Sequence, residues 1–124
     1  MQPIIERGTV IADREDDLLV VWESLRDGAW LGMPLHRQTG PLHRSHLLVP
    51  PEQAWELLGY RAPKRAVLII DTASRRVIDA HAQIIGWLGS DLIALVEATY
   101  QRARMASQYE RANFVRMPSW SAHA

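Results

Sequence analysis

Two short apolar runs, joined by four residues that are all charged, limit how the first part of this chain can fold. The runs are GTVIAD at residues 8–13 and LLVVWE at residues 18–23, and REDD lies between them. Neighbouring parallel strands need a crossover of about a dozen residues, so strands joined this closely must pair antiparallel. A second turn signal, RDG at residues 26–28, precedes a third apolar segment, AWLGMPLH at residues 29–36. The sequence therefore predicts a meander of three antiparallel strands.

Turn and strand signals continue through the middle of the chain. QTGP at residues 38–41 predicts a turn, and HLLV at residues 46–49 predicts a fourth strand. A short helix is predicted at residues 51–59, because a proline suits its first turn and a glycine suits its end. The apolar run AVLIID at residues 66–71 then predicts a buried strand.

The last third of the chain is predicted to hold one or two further strands and a long helix. The strands fall within residues 77–89, and the helix runs from 90 to about 112, because apolar residues recur there at helical spacing. The tail, residues 113–124, is predicted to be loose. These elements indicate an α+β protein: a small twisted antiparallel β-barrel with a short middle helix and a long C-terminal helix. One domain over residues 1–112 accounts for them.

The composition excludes several classes of protein. With 124 residues, of which 48% are hydrophobic, the chain is long enough for one domain with a core. It contains no cysteine, which excludes disulfide bonds, thiol catalysis and zinc–thiolate sites. No apolar run of about eighteen residues occurs, and the first residues, MQPIIERG, do not have the build of a signal peptide. A soluble cytoplasmic protein with no membrane segment is expected.

Charge is unevenly distributed, although the formal net charge is zero. Residues 1–35 carry seven acids against three arginines, a net charge of −4, and the remainder carries eleven bases against seven acids, a net charge of +4. Such segregation suits a polyanionic partner or a head-to-tail contact with another protein.

The tetrapeptide PLHR occurs twice, at residues 34–37 and 41–44, and a third histidine, His46, follows. Three imidazoles and two guanidinium groups this close together have three interpretations: a metal site, an acid–base and phosphate-binding site, or two polar strand ends joined by a turn. Histidine titrates near pH 6.5 and can accept or donate a proton, while arginine carries a permanent charge that suits phosphate. The metal interpretation is the weakest, because the spacing is not that of a tight zinc site and the segment holds no carboxylate.

Further candidate residues follow the predicted buried strand. Asp71, Arg75 and Arg76 either line the same groove or form a surface ion pair in a turn. Asp79 and His81 alternate along a predicted strand, so they can form an acid–imidazole pair on one face. Each of these two sets of residues has a structural interpretation as well as a functional one.

The tryptophans divide into two groups. Trp22, Trp55 and Trp87 lie within apolar patterns and are predicted to be core residues. Trp30 follows a turn and is a candidate surface for stacking a base or anchoring a partner. Trp120 lies in the tail and is a candidate docking residue.

The order of these elements resembles that of the MazF/PemK (CcdB-like) toxins. RGTVIADRED…LLVVWES is similar to the first two strands of that family, and GMPLHRQTG is similar to its third strand, which ends in a Pro-(Ile/Val)-Thr-(Ser/Ala) stretch. AVLIIDTASRRVIDAHAQIIGWLGSDLIALVEATYQRA is similar to its last third, where a Val-(Ile/Leu)-Leu strand, a basic connection, an (Ile/Val)-Gly-x-Leu strand end and a helix follow one another. The resemblance covers roughly residues 6–105.

The resemblance implies a small barrel that forms a homodimer and, in many members, a metal-independent endoribonuclease that an antitoxin peptide or protein holds inactive. It implies no cofactor. The family's arginine precedes the second strand, where this chain has Asp16 and Asp17, and Arg14 is the nearest arginine. The family's hydroxyl residue closes the third strand, where Thr39 is the nearest hydroxyl.

The sequence therefore predicts a MazF/PemK-like toxin that cleaves single-stranded RNA at selected sequences. A histidine is expected to transfer protons and an arginine to stabilise charge that develops on phosphorus. The alternative is a non-catalytic domain of the same fold that binds a protein partner, as a gyrase poison or an adaptor does. The candidate catalytic residues are His36, Arg37, Thr39 and His43, and the candidate RNA-binding residues are Arg14, Arg44, His46 and Arg75.

Overall fold

A computed structural model of the chain describes residues 5–53, 67–79 and 81–116, with side chains up to residue 106. These residues form an α+β fold, in which an antiparallel sheet of seven strands is followed by one long helix. The elements are β1 (Thr9–Ala12), β2 (Leu18–Ser24), β3 (Trp30–Arg37), β4 (His46–Val49), β5 (Leu68–Asp71), β6 (Arg76–Val77), β7 (Gln83–Trp87) and α1 (Ser90–Arg116).

The first three strands form the predicted antiparallel meander. Val10 pairs with Val20 across β1 and β2, and Val20 pairs with Met33 across β2 and β3. β7 lies beside β1, so the strand order is β4-β5-β3-β2-β1-β7, and β6 pairs with the first part of β3. No pairing joins β4 to β7 within the described residues, so in this part of the chain the sheet does not close into a barrel.

β5 lies between β3 and β4, although it follows them in the sequence. Leu35 of β3 pairs with Ile70 of β5, and Ile70 pairs in turn with Leu47 of β4. The connection that contains the turn predicted at residues 38–41 therefore runs from the start of β5, where β3 ends, to the end of β5, where β4 begins. This placement brings the last residue of β5, Asp71, between the two histidine-bearing strands.

The two faces of the sheet bury different side chains. On the first, which we call the helix face, strand residues pack against Leu92 and Val96 of α1. On the second face, Ile11, Leu19 and Val21 form a smaller buried cluster with Trp30 packed against it. The strand residues of the helix face are Val10, Val20, Trp22, Met33, Leu35, Val49, Leu68 and Ile70.

Helix α1 begins at Ser90, as predicted, and carries Asp91 in its first turn, where a carboxylate faces the positive end of the helix dipole. It extends to Arg116, four residues beyond the predicted end at 112. Among the residues that the structure describes, no helix combines the length and apolar character needed to cross a membrane. The predicted helix at residues 51–59 is seen only at its first three residues, since residues 54–59 lie outside those described.

The prediction for the tryptophans is confirmed in part. Trp22 is 2% exposed and belongs to the core, whereas Trp87 is 57% exposed on the outermost strand, so its prediction as a core residue is wrong. An apolar run on an edge strand has the same pattern as one in a central strand, which explains the error. Trp30 is half-buried on the second face, and Trp55 lies outside the described residues.

Candidate functional site: a histidine cluster beside Asp71

The register of three strands places two histidines and an aspartate on the second face of the sheet. Side chains alternate along a strand, so the neighbours of core residues point away from the helix face. His36 follows Leu35 on β3, and Asp71 follows Ile70 on β5. His46 pairs directly with Asp71 across β4 and β5. The site is thus a consequence of strand pairing, with the helix packed on the opposite side.

The three histidines predicted from the doubled motif come together in one cluster. The ring centres of His36 and His46 are 6.5 Å apart, and those of His43 and His46 are 5.9 Å apart, both in edge-to-face arrangements. His36 and His43 are exposed, while the His46 side chain is 20% exposed. The three histidines therefore lie together with His46 as the central member, although β5 separates the strands that carry His36 and His46 and they do not face each other across a turn.

The ring of His36 is held through its Nδ1 atom. This nitrogen lies 2.9 Å from the carbonyl oxygen of Arg37. A carbonyl oxygen only accepts hydrogen bonds, so Nδ1 of His36 carries the proton and donates it. In the neutral ring Nε2 is then an unprotonated acceptor, which is the form required of a general base.

The ring of His43 is held in the opposite sense. Its Nδ1 atom accepts the backbone N–H of Ser45 at 3.2 Å and lies 2.9 Å from the Ser45 hydroxyl. Because a backbone N–H can only donate, Nδ1 of the neutral ring is unprotonated and Nε2 carries the proton. The neutral His43 ring therefore presents a hydrogen-bond donor where the neutral His36 ring presents an acceptor, and the Ser45 hydroxyl oxygen can accept Nδ1–H when the His43 ring is charged.

His46 occupies a bracing position between the other two. Its Nδ1 atom accepts the backbone N–H of His43 at 3.1 Å, and its Nε2 atom lies 3.8 Å from a carboxylate oxygen of Asp71. Both nitrogens thus face protein groups. This geometry favours a structural role for His46 over the direct contact with RNA that its sequence position suggested.

Asp71 and Ser45 are further members of the site. Asp71 was a candidate for the groove only through its position after a buried strand, and Ser45 was not a candidate. The Ser45 hydroxyl lies 3.5 Å from Asp71 and joins that carboxylate to His43. Asp71 is 26 residues from Ser45 in the sequence, so only the placement of β5 beside β4 reveals the contact.

The other residues of the doubled motif divide between the two sides of the sheet. Arg37 is exposed at the end of β3, where strand alternation directs its side chain to the side opposite His36. Its partner on β5, Leu68, belongs to the helix-face core. Thr39 and Arg44 are exposed in the connection from β3 to β4, and Arg44 is the immediate neighbour of His43.

Two further predicted RNA-binding residues lie away from the cluster. Arg75 packs over the ring of Tyr100 at 5.8 Å from its centre and forms an ion pair with Glu23 at 3.2 Å. It is therefore held against helix α1 on the helix face. Arg14 forms an ion pair of 3.5 Å with Asp79, at a cavity of about 200 Å³ that Arg76 also lines.

Asp79 has a pKa below its ordinary value. The backbone N–H of His81 donates to its carboxylate at 2.8 Å and is the main cause, and the charges of Arg14 and His81 act in the same direction. Desolvation acts in the opposite sense and exceeds either of these two charge effects, but not the backbone hydrogen bond. The contact seen therefore joins the Asp79 carboxylate to the backbone of His81, and the imidazole ring does not make it. This is a structural turn contact and not a catalytic pair.

A metal site receives no support from the arrangement of side chains. Within residues 5–53, 67–79 and 81–116, no group of three or more histidine, aspartate or glutamate side chains is placed to hold an ion. The ring nitrogens that face inward are already engaged by backbone or hydroxyl groups.

Comparison with models of known protein families and with curated protein sequences finds no match for this chain.

Proposed function

We propose that this protein is a metal-independent endoribonuclease that cleaves single-stranded RNA through His36 and His43. The observation that carries the proposal is that protein groups hold the Nδ1 atoms of both rings, which leaves Nε2 of the neutral His36 ring as a proton acceptor and Nε2–H of the charged His43 ring, with Nδ1–H toward Ser45, as a proton donor. Cleavage of RNA by its own 2′-hydroxyl needs one group of each kind. Both rings are exposed, so a substrate has access to them.

The reaction follows from these two roles. Nε2 of His36 removes the proton of the 2′-hydroxyl, and the 2′-oxygen attacks the adjacent phosphorus. The bond from phosphorus to the 5′-oxygen breaks, and Nε2 of the charged His43 ring, whose Nδ1–H faces the Ser45 hydroxyl oxygen, donates its proton to that oxygen and leaves a neutral ring. The products are a 2′,3′-cyclic phosphate and a 5′-hydroxyl, and each histidine ends in the protonation state that the other had. No metal ion takes part.

Positive charge beside the phosphate is assigned to Arg44. It follows His43 directly and is exposed in the same connection. A guanidinium group offers a rigid fork of donors to phosphate oxygens and stabilises the charge that develops on them. Arg37 and Arg75 are poorer candidates, because the strand alternation and the contact with Tyr100 direct them to the helix side.

We further infer that the protein shares the barrel fold of the MazF/PemK-like toxins. By this inference it forms a homodimer and binds an antitoxin peptide or protein. The strand meander, the placement of the last strand beside the first and the C-terminal helix support this inference. In this chain the histidine pair takes the part that an arginine and a hydroxyl residue have in that family. The chemistry is therefore proposed from the geometry of this site alone.

The test is incubation of the purified protein with a long mixed-sequence RNA in EDTA, followed by mapping of the new 5′ ends. We expect discrete cuts by the wild type, and a loss of about 10²-fold or more in rate for His36→Ala and for His43→Ala. His81→Ala is the matched control, because His81 is exposed and its backbone contacts Asp79, which is not part of the cluster, and its cleavage should equal that of the wild type. RNA that stays intact at enzyme excess, in EDTA and again with magnesium, would refute the proposal.

A second candidate function, binding of a protein partner without catalysis, is favoured by the surface around Trp87. This exposed tryptophan lies on the outermost strand and lines a cavity of about 440 Å³ together with Ile85 and Ser90. Exposed tryptophans frequently anchor protein interfaces. Growth arrest of cells that express the protein separates the two functions. If the protein is a nuclease, His36→Ala abolishes the arrest. If it acts by binding a protein, Trp87→Ala abolishes the arrest and His36→Ala does not.

A further inference from the structure

A cavity of about 200 Å³ on the second face of the sheet takes no part in the chemistry assigned to the histidines. Leu19, which belongs to the buried cluster of that face, and the exposed Val77 give the cavity an apolar wall. Charged side chains form the rest of its lining: Asp13, Arg14, Glu15, Arg76 and Asp79. The cavity therefore combines an apolar surface, against which a flat ring can pack, with charged groups of both signs.

Asp79 and Arg14 form the part of the lining that a ligand can most easily engage. Oδ1 of Asp79 accepts the backbone N–H of His81 at 2.8 Å, which fixes the carboxylate. Its Oδ2 atom lies 3.5 Å from Nε of Arg14, beyond the range of about 2.7–2.9 Å that strong charged hydrogen bonds have. The Arg14 side chain is 65% exposed, so this pair is weak and a ligand can replace it at little cost.

The net charge of the lining favours a neutral group over a phosphate. Three acids stand against two arginines, which gives a net charge of −1. Arg76 is further neutralised by Asp17, which lies 3.5 Å from it and outside the lining. Like charges repel, so a phosphate gains little by entering, whereas a nucleobase is neutral at pH 7 and carries both N–H donors and acceptors.

Guanine matches Asp79 and Arg14 better than the other bases do. Its N1–H and N2–H groups are donors at neighbouring positions, and the two oxygens of a carboxylate can accept both. Its O6 and N7 atoms are neighbouring acceptors that fit the fork of a guanidinium group. Adenine, cytosine and uracil do not carry N–H donors at two neighbouring positions, so they cannot engage the carboxylate in this way.

The register of the sheet places the cavity close to His36. Leu19 of the apolar wall pairs with Pro34 of β3, and His36 lies two residues further along the same face of that strand. With a rise of about 3.3 Å per residue, the separation along the strand is about 7 Å. This is comparable with the length of one nucleotide in an extended strand.

We propose that the cavity binds a guanine base, with Asp79 accepting its N1–H and N2–H groups and Arg14 donating to its O6 and N7 atoms. In an RNA substrate this guanine is the base next to the bond that His36 and His43 cleave, a placement that rests on the proposed function. Binding of the base in the cavity does not rest on it.

The test is titration of the ¹⁵N-labelled protein with guanosine 5′-monophosphate (GMP), followed through the backbone amide signals of Arg14 and Asp79. The monophosphates of adenosine, cytidine and uridine carry the same ribose and phosphate, so they isolate the effect of the base. Inosine monophosphate lacks only the N2 amino group of guanine. We expect GMP to shift both signals and the other four nucleotides to bind about tenfold more weakly or less.

Variants assign the contacts within the cavity. Asp79→Asn and Arg14→Gln should each lower the affinity for GMP to that for the other nucleotides, and amide spectra of the unbound variants report whether the sheet is intact. Asp27→Asn is the matched control, because Asp27 is an exposed carboxylate outside the lining, and it should bind GMP as the wild type does.

The outcomes separate this proposal from the proposed function. Selective shifts by GMP support the guanine site even if the wild type cleaves no RNA. Equal shifts by all five nucleotides, or no shift at Arg14 and Asp79, overturn it even if the wild type is an active nuclease.

If the protein is a nuclease and the cavity binds guanine, a guanine should occupy one fixed position beside each mapped cut. Replacement of that guanine by inosine should lower kcat/KM about tenfold for the wild type and much less for Asp79→Asn. Cuts without a guanine at a fixed position would overturn its placement beside His36.

Discussion

At the scale of single residues, each histidine of the cluster is defined by the group that faces its Nδ1 atom. A carbonyl oxygen faces that atom in His36, and backbone N–H groups face it in His43 and His46. The neutral His36 ring therefore carries its proton on Nδ1, whereas the neutral His43 and His46 rings accept a hydrogen bond at that atom. Replacement of one of them by a residue of similar size removes a role that its neighbours cannot supply.

Asp79 gives a prediction about pH at this scale. Its pKa in the folded protein is lowered below the ordinary value of 3.8, so its ionised form contributes stability that is fully present above that value. As the pH falls below 3.8 through the folded pKa, the contribution is lost. We expect Asp79→Asn to unfold at lower urea concentration than the wild type at pH 6 and the two midpoints to converge below pH 3.

The control for this comparison is Asp27→Asn, which replaces an exposed carboxylate whose contact is the N–H of Ala29 at 3.3 Å. Its midpoint should stay close to that of the wild type across the same range. A constant difference between Asp79→Asn and the wild type from pH 6 to pH 2.5 would show that the charge of Asp79 has no part in stability.

Gly8 gives a second prediction for a single residue. Its φ angle is +94°, and a Cβ atom there would lie 2.7 Å from Cδ1 of Ile93. We expect Gly8→Ala to reduce the free energy of unfolding by about 1–3 kcal/mol, because the left-handed backbone and the contact both oppose a side chain. Gly28→Ala, at φ +83° with open space around it, isolates the backbone effect and should cost about 1 kcal/mol.

Urea denaturation of these variants, with Gly40→Ala as a third, measures the difference. Gly40 has open space and no positive φ, so its substitution should change the free energy of unfolding by less than about 0.5 kcal/mol. Equal effects at Gly8 and Gly28 would mean that Ile93 moves aside without cost, and no effect at either would contradict the backbone conformation.

At the scale of elements, helix α1 is held to the sheet by a buried stripe and by two arginines at its margins. Arg7 lies 4.5 Å from the ring centre of Trp22 and forms an ion pair with Glu97 at 3.2 Å. Arg75 bridges Glu23 and Tyr100 in a similar way. Surface pairs of this kind contribute little by themselves, so the stripe supplies most of the energy.

Two leucines of α1 test whether the buried stripe supplies most of the energy that holds the helix to the sheet. Leu92 is fully buried and Leu95 is 51% exposed, although only three residues separate them. We expect Leu92→Ala to reduce the free energy of unfolding by about 2–5 kcal/mol and Leu95→Ala by less than about 0.5 kcal/mol. Denaturant unfolding followed by circular dichroism measures both, and similar losses in the two variants would contradict the orientation of the helix.

The elements themselves were largely predictable from the sequence, but their order in the sheet was not. Alternating and continuous apolar runs define β1 to β5, and the helical spacing after Gly89 defines the start of α1. The insertion of β5 between β3 and β4 depends on pairing between residues far apart in the sequence, for which no local pattern exists. For the same reason the three histidines were predictable as candidates, while Ser45 and Asp71 were not predictable as their partners.

At the scale of the whole molecule, the larger hydrophobic core and the candidate catalytic histidines lie on opposite faces of the sheet. The helix face carries the larger core and the paired Arg75, and the opposite face carries the histidine cluster and the cavity beside Arg14. Several acids of the N-terminal part are neutralised across that cavity, since Arg76 lies 3.6 Å from Asp13 and 3.5 Å from Asp17. The charge segregation seen in the sequence is therefore reduced in the folded chain.

This separation gives a prediction about the salt dependence of the proposed RNA binding. Each phosphate contact on single-stranded nucleic acid contributes about 0.7 to the slope of log affinity against log salt. We expect Arg44→Ala to lower the slope by about 0.7 and Arg75→Ala to leave it unchanged, because Arg75 is held by Glu23 and Tyr100 on the helix face. Fluorescence anisotropy with a non-cleavable 2′-deoxy-substituted oligonucleotide measures both, and a lower slope for Arg75→Ala would place the RNA on the wrong face for His36 and His43.

The central claim is that a pair of histidines uses the 2′-hydroxyl of RNA as the nucleophile, and one measurement tests it most directly. An oligonucleotide that spans a mapped cut is compared with the same oligonucleotide carrying a single 2′-deoxy nucleotide on the 5′ side of the cut, both in EDTA. We expect the all-ribose strand to yield a 2′,3′-cyclic phosphate and a 5′-hydroxyl, and the substituted strand to stay intact. Cleavage of both strands at the same rate, or products that carry a 5′-phosphate, would contradict the assignment of His36 and His43.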